Sequence, residues 1–139
     1  MSAIGEATLL AYLRCHYRVL GPPPYTLRIG ERSAALAALF ERSGCDCAAF
    51  VTAWNPRGER HEAAANRAAQ AALLRDIGAR GYACIPGVGE DPDRQWAGED
   101  SVLVPAMGLA EAMLIADSSG QNALVWAGPD ARPQLILLR

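Results

Sequence analysis

Phe50-Val51-Thr52-Ala53-Trp54-Asn55-Pro56 is a run of apolar and β-branched residues that stops at an Asn-Pro pair. Ala48 and Ala49 extend it upstream, so residues 48–54 offer almost no polar face. A strand of that composition is covered on both sides by other elements. Pro56 cannot donate to a sheet ladder and disfavours helix at the residue before it, so the chain leaves the sheet at Asn55. A buried strand that ends in an exposed amide sets the fold class: α/β, with helices covering the sheet.

Outward from this strand, residues 60–81 predict a long helix, rich in Ala and closed by Gly78 or Gly81. Successive helical residues turn by about 100°, which puts Asn66 within about 20° of Leu73 and of Ile77. Asn66 is therefore an amide on an apolar stripe, and a buried amide must find partners. Residues 82–85 and 101–104 predict strands, with 86–100 as a long loop between them. That loop holds five acids and Trp96. Loops of this length are functional or disordered; burial of Trp96 makes this one a lid or wall. Residues 107–118 predict a helix apolar nearly all round, hence well buried. Strands at 122–127 and 134–138 follow, joined by Gly128-Pro129-Asp130.

Upstream, residues 4–15 predict a first helix, then a hairpin of 16–20 and 25–29 around Gly21-Pro22-Pro23-Pro24. Ser33 is an N-cap and Gly44 a left-handed C-cap for a helix between them. The expected whole is one domain over residues 1–139: α/β, with α+β as the alternative. A mixed sheet is flanked by helices in the order α-β-β-α-β-α-β-β-α-β-β.

At 51% hydrophobic and 20% charged residues the chain has the balance of a globular protein. Its net charge of −2 provides no basic field for nucleic acid or an anionic membrane. All 13 basic residues are Arg, which fits codon bias in a GC-rich bacterial genome. No apolar run is long enough to span a membrane and no signal peptide is visible, so the expectation is a cytoplasmic protein with reduced thiols. Cys45 and Cys47 are too close for a relaxed bridge and lack zinc-knuckle spacing, so no metal is expected.

Several motifs fail on inspection. Gly87-Val88-Gly89 lacks the third Gly and the following helix of a dinucleotide fingerprint. A chain without Lys has no P-loop. Asp91-x-Asp93 departs from a calcium loop at Trp96 and Val102. What remains is a constellation at strand and helix ends: Arg28, Asn55, Asn66, Glu99, Ser101, Gln121 and Asn122. Amides, an acid and a guanidinium that converge would make a ligand site. Each also has an ordinary structural use, Asn55 in an Asx turn and Asn66 in pinning a loop among them.

TAWNP at 52–56, Asn66, WAGEDSVLV at 96–104, GQNALVW at 120–126 and LRIG at 27–30 resemble a bacterial family of small proteins known only as a domain of unknown function. The resemblance implies a small bacterial domain with no established activity, cofactor or partner. It marks Thr52, Asn55, Pro56, Asn66, Trp96, Glu99, Ser101, Gln121, Asn122 and Trp126 as motif positions. After Pro56 the family pattern has small hydroxyl residues, where this chain has Arg57-Gly58-Glu59-Arg60.

The expected function is binding of a small polar ligand, a nucleotide or amide-bearing metabolite, without a cofactor and with hydrolytic or transfer chemistry as an extension. In that reading Asn55, Asn66, Gln121 and Asn122 supply amide contacts, Arg28 pairs an anionic group, Ser101 lines the site and Glu99 is the general base. The alternative is an interaction module in which Trp96 and its acidic loop meet a basic partner protein. The oligomeric state is left open.

Overall fold

The computed structural model describes residues 4–139. Helix α1 spans Glu6–Arg14 and runs into strand β1, His16–Val19, and β2, Tyr25–Leu27. Helix α2, Ala34–Ser43, leads to β3, Ala48–Val51. A single 3₁₀ turn, Pro56–Gly58, precedes α3, Ala63–Ala79. Strands β4, Ile85–Glu90, and β5, Glu99–Pro105, come next, then α4, Leu109–Ser118, and finally β6, Ala123–Ala127, and β7, Gln134–Leu137. Apart from the 3₁₀ turn, this is the element order expected from the sequence.

The sheet itself corrects the expectation. Its seven strands lie in the order β2-β1-β4-β5-β3-β6-β7, and every pairing is antiparallel, so the domain is α+β and not a mixed α/β sheet. The reason lies in the connections. Strands joined by a helix, β3 to β4 through α3 and β5 to β6 through α4, do run the same way. In these two cases one antiparallel strand is inserted between them, β5 in the first and β3 in the second, whereas β2 and β3, joined through α2, have β1, β4 and β5 between them. Local sequence announces the crossover helix but not the strand that fills the gap it leaves.

Period-two alternation splits the sheet's side chains between two cores. On one face Ala48, Phe50, Leu103 and Val125 pack with Tyr17 and with Leu36, Leu39 and Phe40 of α2. On the other, Ala49, Val51, Val102, Val104 and Leu124 meet Leu73 and Ile77 of α3 and Ala112, Ile115 and Ala116 of α4. All four β3 residues are buried, as a doubly covered strand requires. The α2 caps form as expected: Ser33 Oγ accepts from Leu36 N at 3.0 Å and Gly44 sits at φ 66°. Helix α4 is less enclosed than its composition suggests, since Leu114 is 65% exposed. Among the described residues, no helix is long and apolar enough to cross a membrane, the four cysteines are free, and no three potential metal ligands cluster.

The strand expected at 82–85 is displaced, with Tyr82 to Cys84 outside it, and both ends of the expected loop at 86–100 are strand. β4 continues to Glu90 and β5 begins at Glu99, leaving residues 91–98 as the connection. Pro86, Gly87 and Gly89 are poor strand formers taken locally, yet the tertiary structure needs glycine here. A Cβ on Gly87 would lie 2.7 Å from Phe50 Cε2 and 2.8 Å from the Arg18 carbonyl oxygen. The missing side chain is what lets the Phe50 ring lie over β4 and meet Tyr17 edge-on at 5.5 Å. Gly87→Ala is expected to lower stability by about 1–3 kcal/mol through overpacking. Urea unfolding checks this; an unchanged midpoint would show that Phe50 repacks at no cost.

Candidate functional site

A cavity of about 560 Å³ opens on the α1 and α2 side of the sheet. That volume lies within the range of small-molecule sites. Its floor is the sheet, with Tyr17 of β1, Phe50 of β3, Glu99 and Ser101 of β5, and Ala123 and Val125 of β6. One face of α1, carrying Ala7, Thr8, Ala11 and Tyr12, closes one side. The mouth is formed by Trp54, Asn55, Gly58 and Arg60 on one loop and Gln95, Trp96 and Ala97 on another. A shallower hollow of about 310 Å³ beside α3 and the end of α4 is lined mainly by alanines and serines and brings no such group of polar side chains together.

The Trp54–Arg60 loop is held by amides. Asn55 lies at φ 45°, in the left-handed region that Asn tolerates better than most residues. Its backbone N–H donates to Asn66 Oδ1 at 2.9 Å, and its Oδ1 accepts from Asn66 Nδ2 at 2.9 Å. The same Oδ1 accepts from His61 N at 3.0 Å, while Asn66 Nδ2 also reaches the His61 carbonyl at 3.3 Å. Asn66, 2% exposed on α3, thus closes a ring that fixes both backbone and side chain of Asn55. With its oxygen taken up by two donors, the Asn55 amide nitrogen is left facing the Glu99 carboxyl, whose ionised form it favours.

Glu99 is the acid among the residues lining this cavity. Burial raises its carboxyl from the usual carboxylate range to about 7, the Asn55 hydrogen bond opposing part of that rise. Ser101, two residues on and therefore on the same face, donates its hydroxyl back to the Glu99 carbonyl at 3.0 Å. On α1 the Tyr12 hydroxyl accepts from Asn122 Nδ2 at 3.3 Å. Burial raises the Tyr12 phenol, and the Glu99 charge adds to the rise. Cys15 is pushed up to about 12, chiefly by burial, so it sits in the cavity wall as a neutral thiol. Burial also raises Tyr17, whose hydroxyl donates to the Tyr12 carbonyl at 2.6 Å.

Gln121 joins from the far side, its Nε2 donating to the Trp54 carbonyl at 3.2 Å. The loop is further stitched to the α4–β6 turn by Arg57 N on the Gly120 carbonyl at 2.8 Å. Gly120 has φ 72°, and a Cβ there would come within 3.0 Å of Pro56. Thr52 Oγ1 donates to the Asp100 carbonyl at 2.6 Å and accepts from Trp54 N at 3.0 Å, tying the end of β3 to the start of β5.

The structure therefore gathers Asn55, Glu99, Ser101 and Gln121 at one cavity, with Asn66 behind Asn55 and Asn122 behind Tyr12. Arg28 is not among them. It is exposed beyond β2 and pairs with Glu31 at 3.2 Å. The guanidinium at the cavity mouth belongs instead to Arg60. Trp126, another motif position, faces α4 and donates its indole N–H to the Met107 carbonyl at 3.0 Å, a packing role. Sequence reasoning missed Tyr12, Cys15, Tyr17 and Arg60, which no local pattern ties to the strand ends. It also missed Gln70, 6% exposed, whose Oε1 accepts from Ala53 N at 2.9 Å. The signal was present: Gln70 is one turn beyond Asn66, about 40° round the same stripe.

The acids of the Trp96 loop are engaged within the chain at its surface. Asp91 accepts from the backbone N–H of Asp93 and of Gln95, at 3.2 and 2.7 Å. Asp93 pairs with Arg14 of α1 at 2.6 Å, and Glu90 with Arg18 at 3.0 Å. Trp96 lines the cavity while remaining 37% exposed.

The chain matches no curated protein and no solved structure. A family model matches residues 51–124, just over half of the chain, from the buried strand through the amides that precede and open β6. The protein belongs to the family described as protein of unknown function (DUF3293).

Proposed function

We propose that the cavity beside α1 binds a small polar molecule with an apolar or flat body, with Glu99 as its ionisable partner. The observation that carries this reading is the Asn66–Asn55–Glu99 chain. Two amides and a left-handed backbone position are spent on aiming one N–H at a carboxyl in a cavity of about 560 Å³. A carboxyl that titrates near 7 is matched to general acid–base work at neutral pH. Tyr12, Phe50, Trp54 and Trp96 offer apolar surface, and Gln121 fixes the mouth. The alternative, a protein-docking surface around Trp96, draws less support. The loop's Asp91, Asp93 and neighbouring Glu90 are already engaged within the chain, and Trp96 contributes to the cavity wall.

A thermal-shift screen of small metabolites tests the proposal. Hits are expected to stabilise the native protein and to lose at least about tenfold in affinity in Glu99→Gln, where the carboxyl can no longer ionise. Hits that bind Glu99→Gln and Trp54→Ala as tightly as the native chain lie elsewhere, and would overturn it, as would a screen with no hit.

A further inference from the structure

Resting on the cavity reading above, we infer that the ligand carries a positive charge, as a protonated amine or amidinium seated against Glu99 between aromatic walls. Two charged residues line the cavity, Glu99 within it and Arg60, exposed, at the mouth. Among the described residues, no ion pair involves Glu99, and the neutral Asn55 amide is the polar group that faces its carboxyl. The other titratable groups of the same cavity are Tyr12 from α1, Cys15 just after it and Tyr17 from β1. All are neutral below their raised values and supply no positive charge.

A half-buried carboxylate without a counter-ion is costly, and proteins pair such groups. Here the missing partner has a place to come from, the open cavity. Tyr12, Phe50, Trp54 and Trp96 line the same cavity, and aromatic rings beside a carboxylate are how ammonium groups are recognised. A neutral ligand would leave Glu99 either protonated or unpaired. A cation supplies the counter-charge, so binding draws the proton off Glu99 into solvent while the ligand keeps its own. Arg60 opposes this only weakly, being exposed and screened by solvent.

Isothermal titration with benzamidine and its neutral isostere benzamide separates the possibilities, because the two differ in charge and hardly in shape. At about pH 8, benzamidine is expected to bind at least about tenfold more tightly than benzamide. At about pH 6 that gap should narrow, since Glu99 must first lose its proton, and buffers of different ionisation enthalpy should report net proton release. In Glu99→Gln the gap should vanish. Equal affinities would overturn the inference but leave the cavity reading standing. A gap that survives in Glu99→Gln would place the cation elsewhere and overturn it too. Binding of neither probe also overturns it, whereas the cavity reading falls only if the metabolite screen is silent as well.

Discussion

Asn66→Leu is expected to destabilise the protein by about 2–5 kcal/mol and to release the loop between Trp54 and His61. Asn66 makes three hydrogen bonds to this loop, to Asn55 N, Asn55 Oδ1 and the His61 carbonyl, from a position 2% exposed. Leucine fits the apolar stripe and is the better helix former by roughly 0.5 kcal/mol, so the helix itself gains slightly. The loss comes from the partners. The Asn55 N–H loses its bond to this amide, and an unsatisfied group costs about 1–3 kcal/mol when buried, while the carbonyl of exposed His61 can turn to water. Asn55 also loses what holds it at φ 45° ahead of Pro56, an unfavourable conformation that persists only where its surroundings impose it. Urea unfolding measures the loss, and hydrogen exchange at the Asn55 and His61 amides locates it. A loss below about 1 kcal/mol with both amides still protected would show that the bracket is dispensable. Should the loop open while the rest of the fold survives, Asn55 no longer faces Glu99, and ligand binding should fail in a folded protein.

Glu99→Gln should change how stability depends on pH, by about 3 kcal/mol in total. Glu99 titrates near 4.5 in the unfolded chain and near 7 in the folded one, because burial disfavours its ionised form. Below pH 4.5 both states hold the proton and the carboxyl costs nothing. Between these values the unfolded state has lost the proton that the folded state keeps. Stability therefore falls with rising pH, by about 1.4 kcal/mol per unit, and levels off above about 7. Glutamine removes this slope, so the variant should match the native protein in acid and exceed it in mild alkali. The difference between the two proteins is the quantity to measure, since other carboxyls act in the opposite sense. Glu111, for example, is held below its ordinary value by the Tyr82 hydroxyl and by Arg80. Parallel pH profiles for the two proteins, or a Glu99 carboxyl resonance titrating near 4.5, would show that the group is solvated and remove its role in the cavity. The same protonation that spares the folded state in acid would weaken capture of a cation there, so the pH of greatest stability and that of tightest binding should differ.

How much of this was legible beforehand depends on the range of the forces involved. The order of helices and strands follows from signals within a few residues: the stop at Asn55-Pro56, Ser33 and Gly44 at the ends of α2, the polyproline turn between β1 and β2. The Asn55–Asn66 contact was legible for a related reason. An amide on an apolar helical stripe has to be satisfied, and the nearest unpaired backbone is the loop that the preceding strand is forced to make. Glu99, Ser101 and Gln121 were within reach because they stand at strand ends that the antiparallel pairing of β5, β3 and β6 brings to one end of the sheet.

What tertiary structure alone decided is which strands became neighbours and what covered them. Nothing local tells that β5 lies between β3 and β4, or that β3 lies between β5 and β6, because a crossover helix leaves a gap of the same width whichever strand fills it. β4 passes through Gly87 because Phe50 and the Arg18 carbonyl need the space above it, a demand made by residues far away in sequence. Arg28 has the right chemistry for a site but lies beyond the edge strand, and solvent-exposed Glu31 satisfies it there. Tyr12 has no motif at all and reaches the cavity because α1 folds back over the sheet, its hydroxyl taking the Asn122 amide and its carbonyl the Tyr17 hydroxyl. Sequence alone determined the elements and the amide bracket, since backbone and helix-face hydrogen bonding are local demands. The antiparallel sheet and the cavity that Glu99 shares with aromatic residues were decided only by packing the whole chain, where burial of apolar surface, which has no direction of its own, selects one arrangement among many.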